Sequence, residues 1–335
     1  MVRLRRTSPE QPGWTRRRAG RGFAYRDQDG SPLGPEEVAR IRALAIPPAW
    51  TDVWITPYAN GHLQAVGTDA AGRRQYLYHP DWRTRRDAEK FDRVLDFGRA
   101  LGTARQRILT DLRRDGMPRE RACAVAVRLM DLGYFRIGND VYLDAHGSFG
   151  LTTLQRQHVR RVQDRLVFVF TGKSGVDHRI EIDDAMVDEA LQVMRRRRGG
   201  EQLLAYRDGR VWKAMLPQLV NEYVREVTGV DATAKDFRTW HATVLAAAAL
   251  AEAPEAASAA ARKRVVAAAM REVSEFLGNT PALARSSYVD PRVVSAYEEG
   301  RTIARATSRT YANPDERQVA LERATLRLIA NEDDA

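Results

Sequence analysis

A chain of 335 residues that is 44% hydrophobic can bury the cores of two domains, which excludes a disordered polymer. No run approaches the ~18 apolar residues of a membrane helix, and no charged-then-apolar leader opens the sequence, so neither a membrane partner nor an export signal is expected. The net charge of +10 and the pI near 10.0 point instead to a polyanionic partner, most simply nucleic acid.

Arginine supplies most of that charge. Lys90, Lys173, Lys213, Lys235 and Lys263 are the only lysines among 54 basic residues, and arginine- and alanine-rich usage also follows genome composition. Charge therefore does not decide the partner by itself, and the few lysines stand out. Cys123, the one cysteine, sits in an apolar helical pattern with no possible intrachain disulfide, which fits a reducing compartment.

Residues 1–22 are arginine-rich without periodicity and read as a solvated basic arm that adds little to a core. A short helix is predicted over 35–44. Alternating segments follow at 52–56, 62–68 and 74–78, separated by Asn60-Gly61, a hairpin signal, and by Ala71-Gly72. From residue 87 the pattern turns helical. The segment 87–114 carries Phe91, Val94, Leu95, Leu101 and Ile108 on one face, and Gly98 on that face argues against an unbroken helix. A second helix is predicted over 118–132, with Gly133 as its stop. Three strands interrupt at 158–162, 165–170 and 178–182, the last two joined by the turn TGKSGVD. Helices resume at 184–196, 212–227, 233–250 and 257–277, and a charged amphipathic one closes at 314–329. The expected class is α+β, with an antiparallel β-rich domain over residues 1–85. A mainly helical domain with a small three-stranded sheet covers 86–335.

Four stations carry candidate chemistry. The first is FRIGN, residues 135–139, where Arg136 at a helix–loop junction reads alone as a surface charge. The second is TGKSG, with Lys173 at a hairpin tip. Its GKS resembles the tail of a phosphate-binding loop, but Val167 occupies the position of the first glycine and the context is strand–turn–strand. The third is KDFRTWH, where Lys235 and Arg238 share a helix face, a pair that suits either solvent or an anion. His241 there reads as a packing or surface histidine, because no second ligand follows at helical spacing. The fourth is SEFLGNTPALARSSYVDP, residues 274–291. Gly278 is a helix stop and Thr280-Pro281 a new N-cap with first-turn proline, leaving Asn279 at the junction and Tyr288 near the end of a short helix. A phenol at that place is a nucleophile or simple packing.

Taken in order, Arg136, a hairpin Lys173 in GKSG, KxxR at Lys235–Arg238, and a tyrosine preceded by Ser-Ser resemble the catalytic set of type IB DNA topoisomerases. The likeness is closest to the small bacterial and poxvirus-like enzymes. PPAWTDVWI and GRRQYLYHPDW in the first domain are similar to that family's N-terminal DNA-binding domain. The resemblance spans nearly the whole chain, with one departure: the family's usual histidine nine residues before the tyrosine is Asn279 here. An amide still donates a hydrogen bond but carries no charge.

The resemblance implies two domains closing as a clamp on duplex DNA and a monomer in the bacterial cytoplasm, at the nucleoid. Tyr288 attacks a phosphodiester to leave a 3′-phosphotyrosyl link and a free 5′-hydroxyl. Arg136, Arg238 and Asn279 bind the phosphate oxygens, Lys173 protonates the leaving group, and Lys235 supports the phosphate. No metal, cofactor or ATP is required. Arg74, Gln75, Tyr76 and Tyr78 are the expected DNA contacts in the first domain, although tyrosines on a half-buried strand would read the same way. Tyrosine recombinases share the nucleophile-and-arginine logic but usually have HxxR at the third station, where this chain has KDFR. A DNA-binding protein that kept the fold without the reaction is the remaining alternative.

Overall fold

The computed structural model describes residues 2–138 and 147–331. The chain divides into two compact units, Met1–Lys90 and Phe91–Ala335. The first holds β1 (Trp14–Ala19), β2 (Gly22–Arg26), α1 (Pro35–Ala43), β3 (Thr51–Ile55), β4 (Leu63–Thr68) and β5 (Arg74–Tyr78). The strands form an antiparallel sheet in the order β2-β1-β3-β4-β5. Ile41 of α1 packs with Val53, Ile55 and Ala65 to make its core.

The basic arm is a correction. Residues 14–26 are not solvated tail but a hairpin, with β1 paired between β2 and β3. Trp14 and Tyr25 lean on the core. Arg16 is buried because its guanidinium donates to the carbonyls of Ile46 (3.1 Å), Pro47 (3.0 Å) and Trp50 (2.7 Å) and lies over the Phe23 ring. An arginine whose two terminal nitrogens both find carbonyls behaves as an interior residue, so the alternation was hidden by the charge of its members.

The second unit is mainly helical. Helix α2 (Pro80–Leu112), which carries the chain from the first unit into the second, begins at a proline, which suits the first helical position, and stays unbroken through Gly98. That glycine is a close approach: a Cβ there would lie 2.9 Å from ring carbons of Trp240, itself fully buried. Helix α3 (Arg119–Gly133) is central, with Ala122 to Val127 all buried. Cys123 is among them, and burial pushes its thiol up to about 12. Strands β6 (Val159–Val162), β7 (Arg165–Thr171) and β8 (Asp177–Ile182) form the expected three-stranded antiparallel sheet. Helix α4 (Ala185–Arg196) follows. The helix expected over 212–227 starts late. Residues there make a hairpin first, β9 (Ala205–Asp208) with β10 (Val211–Ala214), turned at Gly209 with φ +57°. Helix α5 (Pro217–Thr228) begins only at its proline, since the residue before a proline is disfavoured in helical conformation. Then come α6 (Ala234–Glu252), α7 (Ala259–Leu277), α8 (Pro281–Ser287), α9 (Pro291–Glu298), α10 (Ala304–Thr307) and α11 (Pro314–Ala330).

A buried polar knot ties α2, α3, α6 and α11. Arg105 makes two-pronged contacts with Asp131 (2.7 and 2.9 Å) and Glu322 (2.7 and 2.8 Å), and Asp131 also meets His241 Nε2 at 3.0 Å. Burial alone would raise the Asp131 carboxyl, but Arg105 and His241 outweigh it and hold the group well below the usual carboxylate range. A carboxyl depressed in the folded state contributes stability that is complete above its unfolded value, near ~3.9, and that is lost as pH falls below it. Asp131→Asn leaves Arg105 half-paired and is expected to cost about 3–5 kcal/mol at pH 7. Guanidinium denaturation reads both effects. The wild-type midpoint should fall as the pH drops below about 4, and the variant should lose part of that slope; an equally stable variant would refute the account. Gly98→Val drives a branched side chain into Trp240 and should cost about 1–3 kcal/mol by overpacking, measured in the same way.

Candidate active site

The site is assembled around the C-terminus of α7. Gly278 takes the left-handed conformation, φ +58°, and the amides of Gly278 and Asn279 return to the carbonyls of Glu275 (3.2 Å) and Ser274 (3.0 Å). The Leu277 carbonyl, left over at this end, accepts from two guanidiniums: Arg136 Nη2 at 3.3 Å and Arg238 Nη2 at 2.6 Å. Arg136 also donates to Gly278 O at 3.0 Å, and Arg238 Nη1 donates to Tyr134 O. The negative end of a helix dipole is thus the anchor for both cations.

Each arginine arrives there for a local reason. Helix α3 ends with Tyr134 in the left-handed region, φ 54°. The following Phe135 locks into the β6–β8 sheet, edge-on to Phe168 at 5.0 Å and stacked on Phe170 at 5.9 Å. A Cβ on Gly133 would come within 2.4 Å of that ring, so only glycine fits. Arg136 is presented next. Asn139, the last residue of this station, lies outside the described residues. On α6, Arg238 is carried inward between Phe237 and Trp240, both fully buried. Lys235, on the same face, stays exposed in the first turn, where Thr233 and Asp236 form a capping box.

Two like charges sharing one carbonyl are costly. Burial, and then the charge of Arg136, lower the Arg238 guanidinium to about 10, with the Tyr288 phenol partly offsetting them. Among the described residues neither arginine pairs with a carboxylate. The Nε groups of Arg136 and Arg238 and both amide atoms of Asn279 are buried without a hydrogen-bond partner there. Unsatisfied donors converging beside two cations describe an anion site.

Tyr288 caps α8, its amide bonded to Ala284 O at 3.0 Å. Its ring is half-buried, 5.8 Å from the Arg238 guanidinium carbon. Thr243 pins the chain on both sides of Val289, donating to Tyr288 O (3.3 Å) and accepting from Asp290 N (3.1 Å). Lys173 sits on the exposed tip of the β7–β8 hairpin, in one tight turn closed by Gly172 N to Val176 O at 2.7 Å. A cavity of about 450 Å³ beside the arginines is lined by Arg136, Arg238, Gly172, His178 and Phe276 among others.

Two neighbours were not singled out from the sequence. Thr243 gives no signal, being one hydroxyl in an alanine-rich helix. His178 reads only as the first residue of a strand, yet it stands against the arginine pair. Burial and the two guanidiniums hold its imidazole below the ordinary histidine value.

In the first unit, β5 is an edge strand. Tyr76 and Tyr78 stand on its outward face, 49% and 38% exposed, with stacked rings 6.2 Å apart, and Arg74 alternates onto the same face. Gln75 alternates to the other side, its amide donating to Asp69 at 2.8 Å.

The family described as eukaryotic DNA topoisomerase I, catalytic core, matches residues 79–311. That described as bacterial DNA topoisomerase IB, N-terminal domain, matches residues 22–69. DNA topoisomerase 1B of Acanthamoeba polyphaga mimivirus is 28% identical over 297 residues, covering 85% of this chain and 88% of the viral one. DNA topoisomerase 1B of vaccinia virus (strain Copenhagen) and DNA topoisomerase I of monkeypox virus are each 28% identical over 145 residues, 41% of this chain and 45% of theirs. With a catalytic-core match over well more than half its length, the chain belongs to the type IB DNA topoisomerase family.

Proposed function

We propose that this enzyme relaxes supercoiled DNA of either sign by cutting one strand through Tyr288, letting the duplex swivel, and resealing it. One observation carries the assignment of residues. Arg136 and Arg238 converge on Leu277 O with Tyr288 beside them, and their Nε groups and the Asn279 amide are buried without a hydrogen-bond partner among the described residues.

In the cleavage step the Tyr288 oxygen bonds to phosphorus and its proton leaves to solvent. The phosphorus–O5′ bond breaks, and the departing oxygen takes a proton from the Lys173 ammonium to become a 5′-hydroxyl. Charge growing on the non-bridging oxygens is met by the planar donors of Arg136 and Arg238, which keep their protons. The Asn279 amide adds a neutral donor. A lysine suits the proton transfer where an arginine does not, because guanidinium scarcely releases its proton. The phosphotyrosine keeps the energy of the broken linkage, so resealing is the reverse reaction and calls on neither ATP nor a metal. Lys235, exposed at the start of α6, adds a phosphate contact, and Arg74, Tyr76 and Tyr78 on β5 contact the duplex. The grip is mostly electrostatic and weakens steeply with salt. The KDFR sequence at the third station supports this reading over recombination.

Plasmid relaxation in EDTA without ATP tests the proposal. Wild type should remove supercoils of both signs and Tyr288→Phe none, while still binding DNA; relaxation by both proteins would remove Tyr288 from the nucleophile's role. Arg238→Ala should slow single-turnover cleavage by about 10²–10³-fold. Asn279→Ala, losing one neutral hydrogen bond of ~1 kcal/mol, should slow it only several-fold; an unchanged rate would show the amide to be idle.

A further inference from the structure

We infer that His178 is a positioning residue, an imidazole wedge that fastens the Lys173 hairpin to the Gly278–Asn279 junction and so sets the proton donor against the phosphate site. The inference rests on the reading of Lys173 as proton donor given above.

The ring is held between two backbones. A Cβ on Gly172, the residue before Lys173, would fall 2.6 Å from His178 Cδ2 and Nε2. A Cβ on Gly278, the residue before Asn279, would fall 2.8 Å from His178 Cε1. Adjacent edges of one imidazole, on either side of the Cε1–Nε2 bond, therefore face the two glycines that precede the two residues. Its face is fixed as well, stacked on Phe170 at 5.2 Å, the residue paired with it across β7 and β8.

Gly172 carries the sharper message. Its backbone lies at φ −96°, an extended conformation open to any residue, so no turn geometry asks for glycine there. What asks for it is the imidazole. Gly278 has a second reason to be glycine in its φ of +58°, yet it too leaves the ring its space. The charge state agrees: burial and the neighbouring guanidiniums favour the neutral imidazole, which packs beside Arg136 and Arg238 without adding a third positive charge. The imidazole contact ties the hairpin tip that carries Lys173 to the helix end where the arginines meet.

Single-turnover cleavage of two duplexes separates positioning from other roles. One has the normal 5′-bridging oxygen at the scissile phosphate, and the other has sulfur there, whose thiolate departs without a proton. Misplacing a catalytic group by about 1 Å costs on the order of 10²-fold, so His178→Ala should slow cleavage of the oxygen substrate roughly 10–100-fold. The loss should shrink to within a few-fold on sulfur, and the double variant with Lys173→Ala should be no slower than Lys173→Ala alone. Gly172→Ala, which crowds the ring instead of removing it, should give the same pattern and serves if His178→Ala does not fold. A His178→Ala protein as fast as wild type on oxygen, or equally slow on both substrates, would overturn the inference. If Lys173→Ala itself is not rescued by sulfur, the lysine is not the proton donor and the earlier reading fails instead.

Discussion

The Leu277 carbonyl holds the site together. It is the leftover acceptor of a helix end, and two guanidiniums from distant parts of the chain meet on it. Placing two arginines side by side away from water is unfavourable, and the lowered Arg238 value expresses that cost. The helix-end carbonyls offset part of it, with Tyr134 O and Gly278 O taking further donors. The rest is left for an anion. A site that is incomplete without negative charge is what a phosphodiester-cutting enzyme needs, because its donors are already oriented before the phosphate arrives.

The remainder of the second unit serves that meeting point. Helix α3 delivers Arg136 through Phe135 on the three-stranded sheet, and α6 delivers Arg238 inward while Thr243, one turn further, fixes Tyr288. The knot of Arg105, Asp131, Glu322 and His241 lies beneath, and Tyr134 packs edge-on to His241 at 4.7 Å. Stability and function thus share residues: the buried ion pairs hold α3 and α6 in the register that brings their arginines together.

Much of this was legible in the sequence. The helix stop at Gly278, the Thr280-Pro281 start and the hairpin around Lys173 follow from local turn and capping chemistry, which short stretches specify fully. Gly98 misled because a glycine in a helix signals either a break or a close neighbour, and Trp240 lies far off in sequence. The β1–β2 hairpin was missed for a related reason: Arg16 is interior only because carbonyls from the 46–50 loop reach it. The β9–β10 hairpin lost to a helical pattern that ran across a proline. At the site, residue types and order pointed to Arg136, Lys173, Arg238 and Tyr288, but the shared carbonyl, Thr243 and His178 belong to tertiary geometry. A packing or surface role for His241 was the sequence expectation; the fold buries it, and its partner Asp131 could only emerge from tertiary structure.

The measurement that bears most directly on this account is mass mapping of the covalent complex. A duplex that loses its 5′-hydroxyl fragment after cleavage traps the adduct, and proteolysis then yields the modified peptide. The account predicts a nucleotide joined through its 3′-phosphate to Tyr288, with no adduct from Tyr288→Phe. Attachment to another residue, or an adduct that persists in that variant, would contradict it.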